Sequence, residues 1–240
     1  SWHQPRLAHG LAWCLHNAPN AVGRMARSLK GIALVVTLGT LLSKVGGLIR
    51  QLVIAAAFGV GAAYDAYNYA YVLPGFLLIL LGGINGPFHS AMVSVLSRRP
   101  RAEGAHILAA LNTSVSALLL LVTIVLVLAA DPLITLVGPG LAPELHAIAR
   151  VQLQVMAPMA LLAGLIGLGF GYLNAADEFW IPAISPLMSS GALIFGVGLL
   201  WWQLGADIAL PSAAITGGVV LALATLVGAL LQWLIQLPAL

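Results

Sequence analysis

The sequence predicts an all-α polytopic membrane protein with six transmembrane helices. Three observations carry that prediction. Of 240 residues, 61% are hydrophobic and only 7% are charged, where a soluble domain carries roughly 25% charge. Mean hydropathy is +1.03. The apolar residues fall into runs of bilayer-crossing length, about 20 residues, and none of them alternates in the strict twos of a β-barrel strand. So little charged surface excludes an ordinary cytosolic enzyme, a disordered chain and a nucleic-acid binder. The single Cys14 excludes an intrachain disulfide and an all-cysteine metal site.

Residues 1–27 read as an N-terminal extension, either disordered or an over-called start. They contain three histidines and no amphipathic period, whereas Met25 opens a short basic segment that runs into a span. Residues 28–240 form the transmembrane unit. Its spans are expected near 32–58, 67–96, 105–130, 151–173, 181–204 and 211–236. The third is the cleanest, through "ALLLLVTIVLVLAA", and Pro158 predicts a kink in the fourth. Arg24, Arg27 and Lys30 precede the first span, and Arg98, Arg99 and Arg101 follow the second, whereas the intervening "GVGAAYD" has no base. The positive-inside rule then places the N-terminus, the 97–104 loop and the C-terminus in the cytoplasm. Tyr64, Tyr67, Tyr69 and Tyr71 read as an aromatic belt at the outer end of span two, as Trp201 and Trp202 do for span five.

Function must come from the polar residues inside the spans, since each charge there costs about 2.5–3.5 kcal/mol on insertion scales. Span one holds Ser43, Lys44, Arg50 and Gln51 around Gly46 and Gly47. Residues seven apart share a helix face, so Ser43 and Arg50 form one strip, and Lys44 and Gln51 an adjacent one. Together they read as a cationic lining for an anionic ligand. The competing reading has both cations snorkelling or paired with a carboxylate. In span two, Pro74 and Pro87 each remove a backbone donor, and Gly82, Gly83 and Gly86 weaken the helix between them, the pattern of a broken, cavity-lining helix. Asn85 and His89, four apart, are candidate ligand contacts or interhelical hydrogen bonds. Asp65 is a candidate gate, a counter-ion for the cations, or a helix N-cap. Gln152, Gln154 and Asn174 read as structural, and Gly217–Gly218 as a close helix contact. Catalytic, metal and cofactor sites are not expected: there is no P-loop, no HExxH and no paired carboxylates, so the chain does not read as an enzyme.

These residues carry a resemblance. "LLSKVGGLIRQLVIAAAFGVGAAYDAYNYAYVLPG" resembles the first two helices of the MurJ/MviN family of lipid II flippases, in the multidrug/oligosaccharidyl-lipid/polysaccharide exporter superfamily. Ser43-Lys44, Gly47, Arg50, Phe58-Gly59-Val60-Gly61, Asp65-Ala66-Tyr67 and Leu73-Pro74 follow that family's pattern in order. "GYLNAADEFWIPAISPL" and the closing "TGGVVLALATLVGALLQWLIQLPAL" are similar to its later helices, and "LLGGINGPFHSA" is similar to cyanobacterial members.

The resemblance implies the first of two six-helix lobes around a V-shaped cavity, with fourteen helices in the whole. It implies a bacterial plasma (inner) membrane location. It also implies flipping of undecaprenyl-pyrophosphate-linked muropeptide (lipid II) by alternating access. Expected partners are lipid II, membrane lipids and a C-terminal lobe. The departures matter. Lys44 stands where the family has Arg, Gln51 where it has Asp, and Asn85 where it has an acid. Leu78 and Ile79 mark where arginines are expected, so Arg50 carries more of the charge. The abrupt "QLPAL" reads as the end of an N-terminal fragment. Competing readings are a related exporter of drugs or polysaccharide-linked lipids, and a non-transporting membrane scaffold.

Overall fold

The computed structural model describes the backbone of residues 5–83 and 86–240, and the side chains of residues 30–83, 86–100 and 103–240. Among the described residues the regular structure is helical throughout. Helix α1 runs Pro5–Phe58 and turns at Gly59, whose φ of +55° is a conformation that a side chain would resist. Helix α2 follows at Ala62–Gly82, then α3 at Pro87–Leu96, α4 at Arg101–Leu128 and the short α5 at Ala130–Val137. The second half is α6 at Pro143–Met156, α7 at Met159–Ala175, α8 at Trp180–Ile184, α9 at Pro186–Leu204 and α10 at Ala214–Leu234.

Among the described residues, five helical stretches are long and apolar enough to cross a membrane, and a sixth forms if the bent pair α6–α7 is one span. The differences from expectation have local causes. The extension, expected to be disordered or an over-called start, is helical and continuous with α1 from Pro5 onward, as its Leu and Ala content favours. The second span begins earlier, at Ala62, and divides into α2 and α3 near the glycine cluster where a broken helix was expected. Pro74 sits buried inside α2 without ending it. Helix α2 ends instead at Gly82, and α3 begins after Gly86, with Pro87 in its first turn, where its missing N–H leaves no bond unmade. The fourth span is longer than expected and bends by 40° next to Pro158.

Helix α7 is the centre of the bundle. An all-round apolar helix belongs inside, and thirteen of its seventeen residues are buried, from Met159 to Leu173. It packs on α2, α3 and α4, while α10 packs on α9, α6 and α2. Small residues set the spacing. A Cβ at Gly217 would stand 2.7 Å from the Phe58 ring, and one at Gly228 would stand 2.8 Å from Ser189 Cα. Gln152, fully buried on α6, donates to the carbonyls of Ala63 (3.0 Å) and Gly218 (3.1 Å), tying α6 to α2 and α10. Helix α1 is different. It rests on α8 and α9 and leaves Leu34, Leu38, Leu41, Leu48 and Leu52 more than half exposed along its length.

Candidate functional site

The way α1 meets α9 aims the polar strip of span one. Gly46 lies against Leu187, where a Cβ would come within 2.6 Å of its Cδ2. The Ser43 hydroxyl donates to the Ala183 carbonyl at 2.7 Å. With that edge fixed, Ser43, Gly47 and Arg50 face the gap between α1 and α2. The gap is an open cleft of about 430 Å³. Its α2 wall includes Tyr71, Leu78, Ile79, Gly82 and Gly83. Its floor is Phe170 of α7, Gln232 of α10, and Pro186, Ser189 and Ser190 of α9.

Toward the α1–α2 turn lies a smaller chamber of about 110 Å³, which shares Arg50, Tyr71 and Ser189 with the cleft and adds Gln51, Asn68 and Thr225. These three shared residues form the partition between the two spaces. Tyr64, Tyr67 and Tyr71, spaced three and four apart, stack along it with ring centroids 6.2 and 5.5 Å apart. The Thr225 hydroxyl donates to the Leu221 carbonyl (2.7 Å), so its oxygen accepts from the Tyr67 hydroxyl at 2.9 Å. Gln51 donates to the Tyr64 hydroxyl at 3.2 Å.

Arg50 is half-buried, and its Nε is buried with no hydrogen-bond partner among the described residues. Guanidinium is a pure donor whose geometry matches carboxylate and phosphate oxygens. The carboxylate pairs of the described residues are Arg99–Glu103 and, at 3.8 Å, His146–Asp131, and neither involves Arg50. A cation with an unused donor at the end of an apolar cleft is suited to an oxyanion on an otherwise apolar or neutral molecule.

The structure brings together only part of the residue set expected from sequence. Ser43, Gly47, Arg50, Gly82 and Gly83 line the cleft, and Gln51 lines the adjoining chamber. Lys44 does not join them. One residue on from Ser43, its side chain is rotated by about 100° around the helix, and it is exposed outside the cleft. Gly46 serves the α9 contact. Asp65 is exposed in the first turn of α2, and no ion pair links it to Arg50 or Lys44 among the described residues. Pro74 is buried within α2, and Gly86 and Pro87 begin α3. His89 lies between α3 and α7, 2.7 Å from the Asn174 amide, away from the cleft lining. Asn85 lies outside the described residues.

The belt reading of the tyrosines is corrected. Tyr67 is buried and the stack faces inward; Tyr69 alone of the four is exposed. Tyr71, Ser189, Ser190 and Gln232 were missed by sequence reasoning. The three–four spacing of Tyr64, Tyr67 and Tyr71 was the available signal for the first, and a polar pair inside span five for the serines.

The comparisons agree with this architecture. A family model described as lipid II flippase MurJ matches residues 54–240. The chain is 57% identical over 215 residues to a probable lipid II flippase MurJ of Synechocystis sp., covering 90% of this chain and 40% of that protein. It is 30% identical over 207 residues to lipid II flippase MurJ of Burkholderia cenocepacia, covering 84% and 38%. It thus spans about two fifths of the length of the curated relatives it matches. A solved structure of lipid II flippase MurJ in an inward closed conformation superposes with a TM-score of 0.71 at 24% identity, over 86% of this chain and 42% of that one. With a family model covering more than three quarters of its length, the chain belongs to the lipid II flippase MurJ family.

Proposed function

We propose that this chain is the N-terminal lobe of a lipid II flippase, working with a C-terminal lobe and the surrounding membrane lipids. The lobe moves undecaprenyl-pyrophosphate-linked muropeptide from the inner to the outer leaflet of the bacterial plasma membrane by alternating access. Both termini lie in the cytoplasm, and the protein is a transporter rather than an enzyme. The observation that carries the reading is Arg50: a cation in a membrane-depth cleft whose Nε has no protein partner among the described residues. Placing a charge there is costly, and a pyrophosphate supplies the missing acceptors. Family membership supports the substrate class, since the relatives are named lipid II flippases.

The test is complementation of a flippase-depleted bacterium by the gene encoding this chain, unmodified and as Arg50→Ala. Rescue by the unmodified gene and loss of rescue by Arg50→Ala at equal membrane abundance is the expected result. Full rescue by Arg50→Ala removes the role assigned to this residue.

A further inference from the structure

Deepening that reading and resting on it, we infer that Ser190 and Gln232 form a second, uncharged subsite in the same cleft, which binds the saccharide or amide portion of the lipid-linked substrate. Ser190 is 4% and Gln232 7% exposed, yet both line the cleft. No hydrogen bond joins either side chain to another described residue; the bond at position 232 is made by its backbone carbonyl, which accepts from Gln236. Their polar atoms are not sealed inside the protein but open onto the cleft, where they are free to pair with what fills it.

Their chemistry narrows the ligand. A hydroxyl and a carboxamide each donate and accept. An oxyanion only accepts, and Arg50 only donates. The Arg50 end therefore suits phosphate, and the Ser190–Gln232 region suits groups that also do both, namely sugar hydroxyls and acetamido or peptide amides. The two regions lie at different depths of one cleft. Arg50 borders the chamber next to the α1–α2 turn, while Gln232 lies fifteen residues beyond Gly217, which touches Phe58 at that turn. Ser189, which borders both spaces, links them. The cleft thus presents a donor for charge at one end and mixed donor–acceptor groups farther along, in the order in which a pyrophosphate precedes a glycan.

The experiment measures binding to the protein purified with its C-terminal lobe in lipid nanodiscs, with two probes: lipid II, and undecaprenyl pyrophosphate, which lacks the glycan and peptide. Ser190→Ala and Gln232→Leu are each expected to weaken lipid II binding by about tenfold and to leave undecaprenyl pyrophosphate binding within twofold. Ser190→Ala removes one hydroxyl and guards against misfolding, with helicity and the unfolding temperature as the check. Equal weakening of both probes, or no change in either, overturns the subsite while leaving the flippase reading in place. Failure of the unmodified two-lobe protein to bind either probe overturns the flippase reading and the subsite with it.

Discussion

At the residue scale, one spacing argument worked and one failed, for the same reason. Ser43 and Arg50 are seven apart and do share the face that lines the cleft. Lys44 sits one step round the helix, and the contact of Gly46 with Leu187 fixes the rotation that leaves it outside. Sequence gives the faces of a helix; only the partner helix decides which face points in. The same logic turned the tyrosines from a belt into an interior stack. The Tyr67–Thr225 pair makes this stack testable. Because the Thr225 hydroxyl is spent on Leu221 and accepts from Tyr67, Thr225→Val strands a buried phenol. The expected cost is about 1–3 kcal/mol, read from denaturant unfolding in detergent micelles. Adding Tyr67→Phe removes the stranded group and is expected to return most of that loss, so the two changes couple. Additive losses would mean that the hydroxyls do not bond each other.

At the scale of elements, the helices were legible because their apolar length has a physical minimum set by the bilayer. Breaks were less legible. Three of the prolines marked in the sequence, Pro74, Pro87 and Pro158, behave differently: one is absorbed inside α2, one opens α3 and one accompanies the 40° bend between α6 and α7. A proline costs little where a neighbour or a cavity accommodates the freed carbonyl, and that neighbour is not visible in local sequence. Glycines divide in the same way. Gly228 faces the Ser189 backbone across α9–α10, whereas a Cβ at Gly198 of α9 would meet nothing within 4 Å. Gly228→Ala is therefore expected to push the helices apart and cost about 1–3 kcal/mol. Gly198→Ala is expected to be neutral or to stabilise by up to about 1 kcal/mol through helix propensity. Thermal unfolding of the two variants side by side reads the contrast, and equal shifts would remove the packing argument.

At the scale of the molecule, the turns segregate by charge. Because successive spans alternate in direction, the turns at 59–61, 129–142 and 205–213 share one end of the bundle, and those at 97–100 and 176–179 share the other with Lys30. The first end carries Asp65, Asp131, Glu144 and Asp207 with Arg150 as its base; the second carries Lys30, Arg98, Arg99 and Arg101. Acids contribute little to orientation, so Glu103, Asp177 and Glu178 do not offset that basic cluster. The second end is therefore expected in the cytoplasm, which puts Arg50 nearer the outer leaflet, about 12 Å below the end of α1 at Phe58. Cys14 is the sole cysteine, so Cys14→Ser gives a clean background for single cysteines at Val60, which is 94% exposed, and at Ser97, exposed in the α3–α4 turn. A membrane-impermeant maleimide added to intact spheroplasts is expected to label Val60→Cys directly and Ser97→Cys only after permeabilisation. The reverse pattern would put the arginine-rich turn outside, and would place Arg50 near the cytoplasmic leaflet, at the loading end of the cleft rather than the release end.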